Sequence, residues 1–586
     1  MRLPRNSVNY LLMASVLSLL GLGMLYPIAL MLRGAFYENV AKGTGFTLTN
    51  LQLVFEDPVL REGLTNSVKV ATCTTILSIL IALPLAVLAA KFRFPGKGLF
   101  GAVVLVPLIL PPFVGAIGLK LMLGREGALN TLLGTELDFF QGQLLGPWFD
   151  EHIVSTRLLL VALVQALGLY PIIYLNATAA LANLDPALDE AAENLGAGFW
   201  KRFFSITLPL IRPGLFAGGT IVFIWSFTEL GTPLAFDYSR VTPVQIFNGL
   251  KGVESSAEPY ALTFVMLVSA LLVYVVGKVI FGGRAHEMYS KASRAGGETP
   301  LTGFGALAAV AAFTLVTSLA LLPHVGVVLT AMARPGSWYQ SVLPTSFTAS
   351  HFQQALGSDL ASSSINNSLL LAGCATVIDL FIGLLIGYLL VRTTIKGRGV
   401  LDTLCMLPLA VPGLVMAFGY VAMSLRWPFG KGDPLDGVVS VVGATPNPVP
   451  LLIVAYAIRR LPYIVRATVS GLEQTSGQLE EAAMNLGATR FTAMRRVIVP
   501  LIAANLIAGG LLTFSFAMLE VSDSLILAQQ EQHYPITKAI FSFANRLADG
   551  PYIASAMGVW GMLLLTTTLV GASVLMGKKL GAIFRV

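Results

Sequence analysis

The sequence predicts an all-α polytopic membrane protein of about twelve transmembrane helices, arranged as two parallel six-helix repeats. Three observations carry that prediction. Hydrophobic residues make up 55% of the 586 and charged residues 12%, with a mean hydropathy of +0.76, whereas soluble domains carry about a quarter charged residues. Apolar stretches long enough to cross roughly 30 Å of hydrocarbon recur along the whole chain. The string EAAENLGAGFWKRFFSITLP at Glu190–Pro209 returns, changed but in register, as EAAMNLGATRFTAMRRVIVP at Glu481–Pro500.

Taken in order, the spans lie near 11–33, 64–90, 99–123, 157–183, 213–235 and 260–281, then near 303–332, 366–391, 400–426, 449–472, 505–527 and 553–577. The first has a basic start at Arg2 and Arg5 but is too long for a signal-peptide core and lacks a small-x-small cleavage site, so it reads as a retained helix. With the N-terminus inside, the cytoplasmic segments collect roughly twenty Lys and Arg residues, among them Lys91, Lys201, Arg202, Arg392, Arg495 and Arg496, against about half as many outside. The first two outer segments are acidic, with Glu56, Asp57, Glu62, Glu126, Glu136, Asp138, Asp150 and Glu151. The net charge of +7 follows from this topology and implies no nucleic-acid partner. Cys73, Cys374 and Cys405 fall in spans without pairing or metal-ligand spacing and read as small buried apolar residues. No metal site and no nucleophile–base pair is expected.

Aligning Glu190 with Glu481 also aligns Pro171 with Pro462 and Glu229 with Glu520. Upstream the offset shifts by a loop of different length, yet Asn66-Ser67 still matches Asn367-Ser368, and Val106-Pro107 and Pro111 match Leu407-Pro408 and Pro412. The polar, basic stretch 283–300 has linker chemistry and divides a first module, 1–282, from a second, 301–586. Each module has an even number of spans, so both enter and leave on the same side. A pathway between the halves is the expected architecture.

In the first loop, 185–209, Asp185-Pro186 signals a helix start and Leu188, Ala191, Ala192 and Leu195 form one apolar face. Gly196 is placed to take a positive φ and end that helix. Phe199, Trp200, Phe203 and Phe204 then continue on a second helix, interleaved with Lys201 and Arg202, until Pro209. The second loop, 476–500, repeats the pattern. A connector lying on the membrane surface needs only amphipathicity; it does not need Glu, both Ala, Asn-Leu-Gly and Pro to recur. Duplicated identities call for a duplicated partner.

The pattern Glu-Ala-Ala, three residues, Gly, nine residues, Ile-x-Leu-Pro resembles the signature of fused permease subunits of type I binding-protein-dependent ABC importers. Glu190, Ala191, Ala192, Gly196, Ile206, Leu208 and Pro209 match it; in the second copy Glu481, Ala482, Ala483, Gly487 and Pro500 match, while Val497 and Val499 flank Ile498. The resemblance implies that each loop is a coupling helix seated in a groove on one of two copies of a cytoplasmic ATPase subunit. It further implies ATP and Mg bound on those partners with no cofactor on this chain, and an extracytoplasmic solute-binding protein. The expected setting is the bacterial inner membrane, with both termini cytoplasmic. The chain has no G-x-x-x-x-G-K-[ST] phosphate loop, since FPGKGLF and WPFGKGD lack its spacing and hydroxyl, so it is not expected to be an enzyme.

The fusion of two modules also resembles the ferric-iron importer group, whose relatives carry thiamine or 2-aminoethylphosphonate. Glu229, and Glu520 with Asp523, fall in the fifth span of each half, and Asp379 in the eighth overall. Glu520 and Asp523 are three apart, hence on one helical face. Glu229 lies sixteen positions beyond Pro213, about 24 Å deeper towards the outer side. Intramembrane carboxylates face the bundle interior or a watery cavity, where they repel anions and suit a cation. That ordering puts ferric iron first, with thiamine, 2-aminoethylphosphonate and polyamines as alternatives. The competing reading pairs these carboxylates with nearby groups such as Lys538, Ser522 or Ser524 as packing elements; Asp379 and Lys120, without a charged equivalent in the other half, are assigned to structure. A secondary transporter is also built from repeats with intramembrane carboxylates, but it has no use for duplicated docking loops.

Because both docking loops lie in one polypeptide, a purified complex is expected to hold one copy of this chain and two of the ATPase. Native mass measurement checks this: a stable particle with one ATPase, or with two copies of this chain, contradicts it.

Overall fold

A computed structural model describes residues 5–40, 43–109, 111–137, 155–182, 184–281, 298–443 and 445–576. The linker up to residue 297 lies outside the described residues, as do Arg2, Asp138, Asp150, Glu151, Lys578, Lys579 and Arg585. The first repeat contains α1 (Ser7–Gly34), α2 (Pro58–Lys91), α3 (Pro112–Leu123), α4 (Thr156–Ala182), α5 (Pro186–Asn194), α6 (Phe199–Thr228), α7 (Thr242–Gly249) and α8 (Glu258–Phe281). The second contains α9 (Gly303–Met332), α10 (Asp359–Arg392), α11 (Gly413–Ser424), α12 (Val449–Glu473), α13 (Gln478–Asn485), α14 (Ala503–Met518), α15 (Ser522–Leu527), α16 (Ile536–Ala544) and α17 (Gly550–Met576).

Among the described residues, eight helices are long and apolar enough to cross a membrane, and up to eleven spans result if each of three bent pairs is one span. The remaining expected span, near 449–472, is α12. It is helical for 25 residues but carries Arg459, Arg460 and Arg466.

The third span of each repeat breaks at a proline, which removes a backbone donor and clashes with the preceding turn. The helix Arg398–Ala410 meets α11 at 101°, across Val411-Pro412, and the matching pair Lys97–Leu108 and Pro112–Leu133 meets at 93°. These are the aligned prolines of the two repeats. Irregular backbone at membrane depth is tolerated only where protein covers it; accordingly Phe113–Leu119 of α3 and all of α11 are buried.

The chain divides into two compact units that do not follow the repeats. One holds the described residues up to Leu60, Gln245–Leu267 and those from Ala349 on; the other holds Arg61–Val244 and Val268–Thr348. Each unit therefore contains the first helix of the opposite repeat. Within the second unit, α3 crosses α9 so closely that a Cβ on Gly118 would collide with the backbone of Gly326 and Val327. Within the first, the equivalent Gly419 of α11 meets α1, where a Cβ would lie 3.0 Å from the carbonyl carbon of Pro27.

The matched Asn-Ser pairs do the same work in each repeat. Asn66 donates to the Arg240 carbonyl at 3.0 Å and Ser67 accepts from the Thr242 N–H at 2.9 Å. Asn367 donates to the Gln532 carbonyl at 2.9 Å and Ser368 accepts from Ile536 N–H at 2.8 Å. Each long helix thereby satisfies the backbone of the loop leading to α7 or α16. All three cysteines are free thiols; Cys405 is buried, whereas Cys73 and Cys374 are only half-buried because their helix faces turn partly outward.

Gly118→Val is expected to destabilise the protein by about 1–3 kcal/mol or more through overpacking, read as a fall in Tm in detergent. Gly101→Ala, with nothing within 4 Å of the added carbon, is the control and should not lower Tm, since alanine favours the helix it sits in.

Candidate docking loops and intramembrane charges

The two loops are built alike. Asp185 caps α5 by accepting from the Ala187 N–H at 3.0 Å, with Pro186 in the first turn. The helix closes on Gly196, whose φ is +81°: its N–H reaches the Glu193 carbonyl at 2.8 Å and Ala197 N–H reaches Ala192 at 3.0 Å. That paired pattern is a Schellman closure, which needs a left-handed residue. Gly487, at φ +91°, closes α13 identically, through Gly487 to Met484 and Ala488 to Ala483, both at 3.0 Å. Beyond each glycine the next helix contains one wide π turn, Phe203–Thr207 and Met494–Ile498 at equivalent positions, before Pro209 and Pro500.

What the closure displays is an exposed surface. Glu190, Ala191, Glu481 and Ala482 are exposed, Ala192 and Ala483 half-exposed. The leucine before each glycine is held almost fully in solvent, Leu195 at 89% and Leu486 at 90%. Among the described residues neither motif glutamate joins an ion pair. The acid just before it does. Lys91 pairs with Asp189 at 3.1 Å, and Arg392 with Glu480 at 3.9 Å, supported by a Tyr388 hydroxyl donating to Glu480 at 2.8 Å. Sequence reading took Lys91 and Arg392 only as topology charges; an acid preceding the motif in both copies was the signal available.

The intramembrane carboxylates differ between repeats. Glu229 caps the end of α6 and its Oε2 accepts from the Thr232 N–H at 2.8 Å, in a neutral polar setting with Gln165 nearby. Glu520 is 3% exposed and is held by Arg459 at 3.2 Å and by Arg460; Asp523 is held by Arg459 at 3.5 Å. Asp379 of α10 is also buried but joins no ion pair among the described residues. Two carboxylates are thus paired with two guanidiniums. Burial in low dielectric demands such pairing.

The competing reading named Lys538, Ser522 or Ser524 as partners, and this is corrected: the arginines of α12 supply the pairing of Glu520 and Asp523. Lys538 instead donates to the Leu525 carbonyl at 3.1 Å among the rings of Phe247, Tyr534 and Phe541. Ser524 donates to the Glu520 carbonyl at 2.6 Å and bonds the Tyr456 hydroxyl at 2.6 Å. Lys120 pairs with Asp237 at 2.8 Å in an exposed position. Arg459 and Arg460 were legible, standing in the middle of the span near 449–472.

The first repeat lacks them, having Gly168 and Leu169 at the aligned positions and Thr232 in place of Asp523. The exchange is steric as well as electrostatic. Arg459 lies against Gly413, where any Cβ would collide with the guanidinium, while Gly168 lies against Pro112, its built Cβ 3.4 Å from Pro112 Cγ. Gly413 and Pro112 are themselves aligned.

The profile of a family described as the inner-membrane component of binding-protein-dependent transport systems matches residues 82–283 and again 379–574. A ferric transport system permease protein, FbpB, of Actinobacillus pleuropneumoniae is 27% identical over 93% of this chain and 75% of its own length. An Fe(3+)-transport system permease protein of Haemophilus influenzae is 24% identical over 85% of this chain and 87% of its own. The molybdenum transport system permease ModB of Escherichia coli is 34% identical over 171 residues, 29% of this chain. With the family domain present twice and covering both docking loops, the chain belongs to the inner-membrane permease components of binding-protein-dependent transport systems.

Proposed function

We propose that this chain is the whole membrane-spanning permease of an ATP-driven ABC importer that takes ferric iron from an extracytoplasmic binding protein. Two copies of a separate ATPase, which bind ATP and Mg, dock on α5 and α13 from the cytoplasm, where both termini also lie. The observation that carries this reading is the doubled loop: two Schellman glycines present the same exposed glutamate, alanine and leucine surface. Ferric iron is supported by the ferric permeases that match across most of the chain. It is supported also by Glu229, which joins no ion pair among the described residues and offers a carboxylate oxygen of the kind a hard cation prefers.

A second reading, an oxyanion cargo, has its own support. The molybdenum permease likeness falls within one repeat's length, and the member of the cluster most open to solvent is Arg459, at 23%, rather than any carboxylate. Loading the cognate binding protein with ferric iron or with molybdate and measuring ATP-dependent uptake into proteoliposomes separates the two.

Glu190→Arg should abolish ATPase association or binding-protein-stimulated turnover while leaving the fold intact. Gly487→Val should act through its closure, because a β-branched residue at that φ is strained by about 1–3 kcal/mol; normal uptake in both variants contradicts the docking assignment.

Glu229→Gln removes a charge but keeps an acceptor for the Thr232 N–H. Uptake of a cationic cargo should fall by about tenfold or more, since one carboxylate 4 Å from a unit charge is worth about 4 kcal/mol at an effective dielectric of 20. Unchanged iron uptake removes Glu229 from the path. Glu520→Gln, by contrast, takes the ion pair from Arg460 and leaves Arg459 with Asp523 alone, and should lower stability by about 3 kcal/mol, visible as a lower Tm.

A further inference from the structure

The acid ahead of each motif glutamate is tied to the same place in both repeats. α2 and α10 are each 34 residues long, and each ends at the cytoplasmic side on a cation, Lys91 or Arg392. Those cations stand at the negative ends of their helix dipoles, while Asp189 and Glu480 stand in the first turns of α5 and α13, at the positive ends. Each ion pair thus joins the C-terminus of a membrane-long helix to the N-terminus of a docking helix, with every charge favourably placed on its own helix.

The second joint is the more elaborate. One Glu480 oxygen receives the Tyr388 hydroxyl and the other faces Arg392, both from the last turns of α10, and the carboxylate is buried. Arg392 also donates to the Leu472 carbonyl at 2.9 Å and the Thr475 carbonyl at 2.7 Å, at the end of α12. Three helix ends converge on one guanidinium. In the first joint Lys91 reaches Asp189 and, at 3.3 Å, the Thr207 hydroxyl just ahead of Leu208, while Arg202 shares Asp189 at 3.8 Å. That joint is more open to water.

We propose that Arg392–Glu480 and Lys91–Asp189 are positioning pairs that lock each docking helix to the long helix of its own repeat. A displacement imposed on α5 or α13 is then delivered to α2 or α10 instead of being absorbed in the loop. Adjacent acids divide the labour: Glu190 and Glu481 face outward, whereas Asp189 and Glu480 face the bundle. The inference rests on the reading of α5 and α13 as ATPase docking helices.

The test uses the full complex of this chain with its ATPase subunits in proteoliposomes, supplied with ferric-loaded binding protein, and reads iron moved per ATP hydrolysed. In Glu480→Gln that ratio should fall by about tenfold, as expected when a buried charge loses its partner, with the ATPase still co-purifying and still hydrolysing ATP. Asp189→Asn should lower it by about twofold, the scale of an exposed pair, and Arg392→Lys, which keeps the charge but not the fork of donors, should fall between them. Tyr388→Phe removes only one donor to Glu480 and reads the same ratio if Glu480→Gln does not assemble. An unchanged ratio in Tyr388→Phe or in Glu480→Gln overturns the proposal, as does loss of ATPase association with a normal ratio in the remaining complex. A wild-type complex without any co-purifying ATPase overturns the permease reading itself, and the positioning pairs with it.

Discussion

The hydrocarbon core offers no water, so every backbone N–H and C=O at membrane depth must be satisfied inside the protein, and both repeats are organised around that demand. The aligned prolines break the third span of each half and leave backbone that lipid cannot serve. Cover comes from α9 over α3 and from α1 over α11, each at glycine distance. A helix that must lie that close to a broken span of the other repeat cannot belong to its own repeat's unit, and the division of the chain into units follows.

The same low dielectric governs charge. Glu520 and Asp523 exist at depth because Arg459 and Arg460 neutralise them, and Arg459 fits because position 413 has no side chain. In the first repeat the lone Glu229 is served by a backbone N–H, and the volume taken by Arg459 is taken from the other side by Pro112. The duplicates have therefore kept their repeated loops alike, down to the glycine closures and the paired acids, while diverging in their buried charges. The loops repeat the same motif residues, whereas the buried charges of one repeat have no counterpart in the other.

Much of this was legible from residues alone, because the signals were local. Hydropathy located the spans, and identity between two strings located the loops and the closing roles of Gly196 and Gly487. The matched Asn-Ser and proline positions were visible as correspondences, though their work, satisfying a loop and breaking a span, needed coordinates. Arg459 and Arg460 were passed over because a span judged by its average hydropathy hides two charges in its centre. The exchange of first helices was not readable at all: it depends on Gly118 meeting Gly326, two glycines far apart in sequence with nothing in their neighbourhoods to pair them. Lys91 and Arg392 were seen, but a sidedness rule accounts for them completely and conceals a second role.

The reciprocal fit of Arg459 on Gly413 and of Pro112 on Gly168 bears on why the two halves share one polypeptide. Halves made separately would be free to pair like with like: two first halves would lack the buried guanidiniums entirely, and two second halves would bury four. A single reading frame delivers one of each in strict equality, at one time and in one place. Covalent fusion fixes the ratio of the two unlike halves at one to one.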